Sequence, residues 1–257
     1  GQPHTQCAQI VQVRLSGQRN TSTPSWCHGM AARQQGGCGS VSEWQASETS
    51  SEFHRSTKGS FVMPTQPLTG TVALVTGANH AIGAATAIEL AERGADIAVS
   101  FLRTADQGRT DDYTLARARN AENVIGAIET LGQRAVGIEA DLSDPDVPAR
   151  LFDEAEAALG PVSVLVHNAS GWHKDSFSPD RGDAVGRTSV MVNPKSIDSQ
   201  LHIDARAGAL LMAEFITRHR ARNARWGRVV TLTSGEGKHF PGEVSYGAGK
   251  AALMSYT

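Results

Sequence analysis

The chain has 257 residues, 24 basic and 26 acidic side chains, and a formal net charge of −2. This near-neutral balance gives no reason to expect nucleic acid or an acidic membrane as a partner. No apolar stretch approaches the ~18 residues of a membrane span, and the start, Gly1-Gln2-Pro3-His4, has no signal-peptide pattern. We therefore expect one domain of ordinary size, with or without a tail, and a cytoplasmic location.

Residues 1–63 differ in composition from the rest of the chain. Roughly half are Gly, Ser, Thr or Gln, and the apolar residues lack a period, so the segment cannot bury enough surface to offset chain entropy. Only Gln9–Leu15 alternates like a short strand, and it has no evident partner. Because Met63-Pro64 looks like a natural protein start, we interpret residues 1–63 as a disordered tail or an upstream extension without its own function. Residues 64–257 form the predicted domain.

The three cysteines, Cys7, Cys27 and Cys38, all lie in this first segment. Their spacing, together with neighbouring His4 and His28, matches no zinc pattern, so we expect unpaired thiols and no metal site. The predicted domain contains no cysteine, which excludes a thiol nucleophile or a disulfide there.

A glycine turn, Thr76–Gly83, follows the apolar run Val72–Val75 and precedes residues with helical periodicity up to Arg93. An apolar run without polar alternation is typical of a buried parallel strand. Strand, glycine turn and helix in this order predict a dinucleotide site. Gly77 would allow the tight turn, and Gly83 would let the helix start pack close to the strand and the backbone approach a pyrophosphate. Free N–H groups at the helix start would bind the phosphates. The alternative is a turn that only reverses the chain.

From Gly70 onward, strand patterns alternate with helix patterns, which predicts an α/β fold with a doubly wound parallel sheet. Two connections are longer than this fold needs, Arg103 to Thr114 and Gly171 to Ser196, and long loops are usually functional or disordered. The predicted strands are Thr71–Thr76, Asp96–Phe101, Ala135–Ala140, Val162–His167 and Arg228–Thr233; the predicted helices lie near Ala81–Arg93, Ala116–Leu131, Pro148–Leu159, Ile197–Arg222 and Ser245–Thr257.

Tyr246 and Lys250 are four residues apart, and Ser234 stands twelve residues before the tyrosine. Residues four apart share a helix face, so the lysine ammonium reaches the region around the phenol. A nearby cation stabilises a phenolate, and such a tyrosine exchanges a proton with an alcohol or carbonyl oxygen. Ser234 ends an apolar strand, where ligands of such sheets bind. Its alternative role is that of a turn or cap serine.

These motifs, in this order, resemble the short-chain dehydrogenase/reductase family, and within it bacterial 3-oxoacyl-carrier-protein reductases. The resemblance implies a Rossmann fold, NAD(P)-dependent chemistry on CH–OH groups, a small-molecule carbonyl or alcohol substrate, and a homo-oligomer in the full-length protein. Family members continue with two more strands and a substrate-covering segment, so the resemblance also implies that this chain is truncated. It is carried by Thr76-Gly77-x-x-x-Ala81-x-Gly83, Asp141-Leu142, Asn168-Ala169, Ser234, Tyr246 and Lys250.

The resemblance assigns a role to each catalytic position. Ser234 holds the substrate oxygen, Tyr246 transfers the proton, and Lys250 grips the nicotinamide ribose and acts on the tyrosine. Asp204 occupies the place of a family asparagine that shapes a helix kink and holds a water beside the lysine. Its carboxylate either pairs with Lys250 and competes for the ammonium charge, or faces away and accepts helix and water hydrogen bonds.

Cofactor choice depends on the end of the second strand, where a carboxylate selects NAD and an arginine accepts a 2′-phosphate. Arg103 stands just after that end, so we predict NADP, with NAD as the alternative that Asp106 would favour. By resemblance Asp141 contacts adenine, though it also fits a helix-start cap. His167 fits a hydrogen-bonded strand-end histidine better than a general base. The full set of implied cofactor residues is Thr76, Gly77, Asn79, Ala81, Ile82, Gly83, Arg103, Asp141, Leu142, Asn168, Ala169, Tyr246 and Lys250.

Two functions follow as hypotheses. The first is an NADP(H)-dependent oxidoreductase that moves hydride between the nicotinamide and a carbonyl or secondary alcohol, with Tyr246 as the acid/base. The second is a nucleotide-binding protein with little or no catalysis, because of Asp204 and the missing C-terminal part.

Overall fold

A computed structural model gives the structure of the chain. It describes residues 8–11, 66–103, 119–179, 188–234 and 242–257. The cysteines, Asp106 and nearly all of residues 1–63 lie outside these ranges, as does most of the polar connection from Arg103 to Thr114. The elements in chain order are β1 (Ala8–Val11), β2 (Val72–Thr76), α1 (Ala81–Glu92), β3 (Asp96–Phe101), α2 (Glu122–Thr130), β4 (Ala135–Glu139), α3 (Val147–Leu159), β5 (Val162–His167), β6 (Asp175–Ser176), β7 (Val190–Met191), α4 (Pro194–Gln200), a π-helical turn (Leu201–Arg206), α5 (Ala207–Ala221), β8 (Arg228–Leu232) and α6 (Val244–Tyr256).

One six-stranded sheet, in the order β1–β8–β5–β2–β3–β4, forms the centre of the fold. The strands β2, β3, β4, β5 and β8 are parallel to their neighbours among these five. The prediction of a doubly wound α/β fold is therefore confirmed. Its predicted strands match β2, β3, β4, β5 and β8 to within one residue at each end.

Both faces of the sheet are covered, as the unbroken apolar run in β2 predicts. Ala73 and Val75 pack in an apolar cluster that includes residues of α1 and α2. Leu74 points to the other face and packs in a second cluster with residues of α3 and α5. Because successive strand residues point to opposite faces, one apolar strand serves two cores.

The sheet order places a topological switch at β2. From β2 the chain passes to β3 on one side of the strand, and it later returns to β5 on the other side. In sheets of this kind a crevice opens beyond the carboxyl ends of the two strands at the switch. The glycine turn follows β2 and Asn168 follows β5, so both lie at this crevice.

The strand β1 departs from expectation. Ala8–Val11 pairs antiparallel with β8, in the register Ala8↔Leu232 to Val11↔Val229. The short alternating segment predicted to have no evident partner therefore has one. Sequence patterning could not show this, because the partner strand lies far along the chain and backbone hydrogen bonds carry no sequence signature.

The long helix predicted over Ile197–Arg222 is three consecutive segments: α4, the π-helical turn and α5. The π-helical turn contains Asp204, whose side chain is fully buried. Such turns occur mostly inside α-helices and are frequent at functional sites. The 3.6-residue periodicity that predicted one helix does not resolve this local change of hydrogen-bonding pattern.

Candidate active site

The glycine turn after β2 has the close approaches that its sequence predicts. Gly77 has a φ of +64°, a conformation that strains other residues. A Cβ on Gly83 would lie 2.2 Å from the Gly77 carbonyl oxygen and 2.6 Å from the Asn168 side-chain nitrogen. The turn therefore requires glycine at both positions, because the start of α1 packs directly against the Gly77 carbonyl and the Asn168 side chain.

Ala81 and Ile82, at the first turn of α1, are exposed to solvent. Ala81 has a φ of +48°, in the left-handed region that costs a non-glycine residue about 1–2 kcal/mol. Such strain clusters at ligand-binding turns. The helix start thus presents its free N–H groups to the crevice, with the apolar side chain of Ile82 beside them.

Thr76 joins the glycine turn to the end of β5. Its hydroxyl accepts hydrogen bonds from the backbone N–H groups of Asn168 and Ala169, both at 3.1 Å, and contacts His167 Nδ1 at 3.1 Å. The Asn168 side-chain amide donates to the carbonyls of Thr76 and Gly77 at 3.0 and 2.9 Å. The residues predicted at the carboxyl ends of β2 and β5 therefore form one network.

His167 is buried inside this network. Its Nε2 lies 3.2 Å from the Ile203 carbonyl oxygen, which only accepts, so Nε2 carries the proton. Nδ1 then accepts from the Thr76 hydroxyl. Burial lowers the pKa of His167 to about 4; the Asp204 carboxylate opposes this shift and the Lys250 ammonium adds to it. This geometry is that of a hydrogen-bonded strand-end histidine, neutral at physiological pH.

Three further predicted cofactor residues, Asn79, Asp141 and Leu142, contact other parts of the protein. The Asn79 side chain donates to the Arg119 carbonyl at 2.9 Å and accepts from His80. Asp141 accepts from the Ser143 N–H at 2.8 Å in the turn after β4. It is not the helix-start cap offered as the alternative to adenine binding, because α3 begins at Val147 with Asp146 as its N-cap residue. Leu142 is buried in the core, where it supports the turn without exposing its side chain.

Arg103 does not point freely into solvent. Its guanidinium contacts the Glu139 carboxylate, with Nε 3.0 Å from both oxygens and one terminal nitrogen 2.6 Å from Oε2. Both side chains are exposed and stand at the ends of the neighbouring strands β3 and β4. A 2′-phosphate at this position would meet an arginine that already has a carboxylate partner.

Tyr246 and Lys250 lie on α6, and both are buried. The lysine ammonium is 5.4 Å from the centroid of the Tyr246 ring. It donates to the Leu232 carbonyl at 2.8 Å, at the end of β8. Ser234 is buried two residues farther along. The sequence spacing therefore does place the lysine beside the tyrosine, next to the strand end that carries the serine.

Asp204 contacts Lys250 directly, with Oδ1 2.7 Å from Nζ. Its other oxygen accepts from the Ser170 hydroxyl at 3.0 Å, from the Gly171 N–H at 3.1 Å and from the Gln200 side chain. Of the two arrangements open from the sequence, the structure shows the ion pair. The lysine ammonium is thus shared between a phenol ring on one side and a buried carboxylate on the other.

Sequence reasoning missed three residues around these groups. Glu139 pairs with Arg103, Gln200 donates to Asp204, and Gly249 lets α6 approach the π-helical turn. A Cβ on Gly249 would lie 3.2 Å from Gln200 Cγ and 3.3 Å from Asp204 Cβ. A glycine between Tyr246 and Lys250 was the only available signal, since glycine within a helix costs stability unless close packing requires it.

Within the described ranges, no three His, Cys, Asp or Glu side chains are grouped as a metal site would need. No helix found in those same ranges has the length and apolar character of a membrane span.

The chain is similar to known proteins. The sequence profile of short chain dehydrogenases matches residues 71–257. The chain is 32% identical to an NADPH-dependent aldehyde reductase-like chloroplastic protein of Arabidopsis thaliana, over 77% of this chain and 68% of that protein. It is 33% identical to cyclohexanol dehydrogenase of Rhodococcus sp. (strain TK6), over 74% of this chain and 67% of that protein.

The chain is also similar to a solved structure. The 3-oxoacyl (acyl-carrier-protein) reductase of Agrobacterium tumefaciens C58, solved with NADP bound, superposes with a TM-score of 0.56 at 27% identity, covering 74% of this chain and 63% of that one. The chain thus spans about two thirds of the length of these three relatives. It belongs to the short chain dehydrogenase family, whose members are NAD(P)-dependent oxidoreductases.

Proposed function

We propose that the protein is an NADP(H)-dependent oxidoreductase that interconverts a small carbonyl compound and its alcohol, with Tyr246 as the acid/base. The observation that carries this proposal is the position of Lys250. Its buried ammonium lies 5.4 Å from the Tyr246 ring centroid, and the Leu232 carbonyl holds it beside the end of β8. A buried ammonium next to a phenol favours the phenolate form.

The described residues fit a dinucleotide. The glycine turn brings the start of α1 close to the end of β2, and the N–H groups at that helix start suit a pyrophosphate. In this proposal Ala81 and Ile82 border the pyrophosphate, Asp141 the adenine, and Lys250 the nicotinamide ribose. When bound, the nicotinamide supplies or accepts the hydride.

Arg103 supports the choice of NADP over NAD, because it stands where a 2′-phosphate would lie and is cationic. The names of two relatives, an NADPH-dependent aldehyde reductase-like protein and a reductase solved with NADP, support the same choice. Glu139 weakens this preference, because its carboxylate already neutralises Arg103. We therefore propose NADP as the main cofactor, with NAD as a weaker ligand.

In this proposal side chains of the protein transfer the proton to and from the substrate oxygen. In reduction, the Tyr246 hydroxyl gives its proton to the substrate oxygen while the Ser234 hydroxyl donates a hydrogen bond to that oxygen. The Lys250 ammonium stabilises the phenolate that remains. In alcohol oxidation the phenolate takes the hydroxyl proton. Burial of all three side chains keeps water from competing for these hydrogen bonds.

One observation favours a second candidate, a nucleotide-binding protein with little catalysis. Asp204 is fully buried and only 2.7 Å from the Lys250 ammonium, so much of the positive charge near Tyr246 is already compensated. A compensated ammonium stabilises a phenolate less. The glycine turn and the cofactor contacts are independent of this ion pair.

A single experiment separates the two candidates. NADPH oxidation is followed with cyclohexanone, an aliphatic aldehyde and a bicyclic aromatic ketone, in the wild type and in Tyr246→Phe, with cofactor affinity measured by fluorescence titration. The oxidoreductase predicts turnover in the wild type, its loss in Tyr246→Phe, and equal NADPH affinity in both. Binding without turnover in the wild type supports the second candidate, and activity in Tyr246→Phe within tenfold of wild type overturns the role of the tyrosine.

A homo-oligomer and a cytoplasmic location are further parts of the proposal, and light scattering tests the first. The location needs direct measurement, since one relative is named as chloroplastic.

A further inference from the structure

Asp175 is not one of the proposed catalytic residues, but its buried carboxylate accepts hydrogen bonds from α6, the helix that carries Tyr246 and Lys250. The side chain is fully buried. Oδ1 accepts from the Ser245 backbone N–H at 3.0 Å, and Oδ2 accepts from the Ser245 hydroxyl. The Ser196 hydroxyl also donates to Oδ2, at 2.6 Å. Three segments that are distant in sequence, β6, α4 and the start of α6, therefore meet at one carboxylate.

The start of α6 depends on this contact because its own cap residue does not supply one. Glu243 precedes the helix, and its side chain makes no capping hydrogen bond in the described structure. By contrast, α4 is capped locally by Asn193, with Ser196 completing the reciprocal pair. An N-terminal turn leaves backbone N–H groups without helical partners, and a carboxylate there is favoured by both hydrogen bonding and the helix dipole.

Asp175 is ionised in this position. Burial raises its pKa, but hydrogen bonds from Ser196 and Ser245 outweigh burial, and the pKa lies below the usual range. A carboxylate bonded to a helix N–H makes a stronger contact than a neutral acceptor. Asp175 thus acts as a cap supplied from another part of the chain.

The two functional groups of α6 have different anchors. Lys250 is held by the Leu232 carbonyl and by Asp204, on the side of the sheet and the π-helical turn. Tyr246 directly follows Ser245, in the first turn of the helix, where Asp175 provides the hydrogen bonds described above. Loss of the Asp175 contact would therefore loosen the tyrosine while the lysine keeps its own contacts.

We propose that Asp175 is a positioning residue, which fixes the first turn of α6 through Ser245 and thereby sets the position of Tyr246 for proton transfer. The catalytic part of this inference rests on the proposed function. The structural part does not, and it has its own measurement.

Amide hydrogen exchange tests the structural part. In Asp175→Ala, the amides of residues 245–247 should exchange about tenfold faster than in the wild type, the effect of losing one charged hydrogen bond. Amides of residues 252–256, farther along the same helix, are the internal control and should change less than twofold. Asp175→Asn keeps one acceptor for the Ser245 N–H, so its exchange rates at residues 245–247 should lie between those of the wild type and those of Asp175→Ala. Equal acceleration along the whole helix, or none at its start, would overturn the proposal.

Kinetics test the catalytic part, with a matched pair of variants. Ser245→Ala and Ser196→Ala each remove one hydroxyl from the same carboxylate, but only the first loosens α6. Asp175→Ala should lower kcat about tenfold and leave NADPH affinity within about twofold, and Ser245→Ala should lower kcat more than Ser196→Ala does. A parallel loss of kcat and cofactor affinity, or equal effects of the two serine variants, would contradict positioning.

The two proposals fail in different ways. If Tyr246→Phe keeps its activity, the proposed function fails, while the exchange result for Asp175 still stands. If Tyr246→Phe is inactive and Asp175→Ala retains full kcat, Asp175 does not position the tyrosine. Should Asp175→Ala not fold, Asp175→Asn and the two serine variants provide the same comparison.

Discussion

The neutral histidine beneath the site should make stability depend on pH in a defined window. His167 is buried, and its pKa is lowered to about 4 from its ordinary value of 6.5. The unfolded chain therefore binds a proton at His167 at a higher pH than the folded chain does. The stabilisation is fully present above about pH 6.5 and is lost as the pH falls toward about 4.

The size of this effect follows from the two pKa values. Linkage predicts that His167 protonation in the unfolded state lowers the free energy of unfolding by about 2 kcal/mol at about pH 5 and by about 3 kcal/mol at about pH 4. A charged His167 would also lose its hydrogen bond from Thr76, because Nδ1 would carry a proton. Acid should therefore loosen the junction between the glycine turn and β5 first.

The measurement compares urea unfolding of the wild type and of His167→Asn from about pH 8 to about pH 4. Asparagine does not titrate in this range, so the difference between the two curves isolates His167 from other groups. His219, another buried histidine with a lowered pKa, is present in both proteins and cancels. Wild-type stability should fall toward that of the variant as the pH drops. A difference constant to within about 0.5 kcal/mol between pH 7 and pH 5 would refute the reasoning.

Three further predictions follow from other contacts. Glu139→Gln frees Arg103 from its carboxylate partner, so it should tighten NADPH binding about threefold and leave NADH binding unchanged. Arg103→Ala should abolish the preference for NADPH over NADH when both cofactors are titrated. Deleting residues 1–62 removes β1 and its pairing with β8, so the melting temperature in thermal unfolding should fall. Asp204→Asn should raise the turnover of alcohol oxidation at neutral pH, because Lys250 loses a carboxylate that compensates its charge; equal turnover in the two proteins would mean that the substitution is silent.

The parts of the fold that sequence reasoning predicted are those with a local signal. The apolar run of β2 and the helical period of α1 extend over consecutive residues, so each could be interpreted without knowledge of its partners. The glycine turn between them could be placed for the same reason, and the contacts of Gly83 show that it lets the helix start pack closely against the turn. Tyr246 and Lys250 could be paired because helical spacing alone determines their shared face.

The parts that escaped prediction depend on partners distant in sequence. The edge pairing of β1 with β8 relies on backbone hydrogen bonds, which any residue makes. Glu139 neighbours Arg103 only because β3 and β4 lie side by side. Asp175 stands in the long connection Gly171 to Ser196, which the sequence marked as functional or disordered, but nothing near it predicted a contact with Ser245. Charge alone does not indicate which carboxylate will be buried.

The chemistry of α6 thus depends on two buried carboxylates, and they act on it in opposite ways. Asp175 bonds to the first turn, so its charge orders the backbone that carries Tyr246. Asp204 bonds to Lys250, so its charge holds the ammonium but also weakens the ammonium's effect on the phenol. Removing the Asp175 charge should leave Tyr246 less well positioned. Removing the Asp204 charge should strengthen the effect of the Lys250 ammonium on the phenol. Variants of the two residues are therefore expected to change turnover in opposite directions, although both residues are buried acids that contact the same helix.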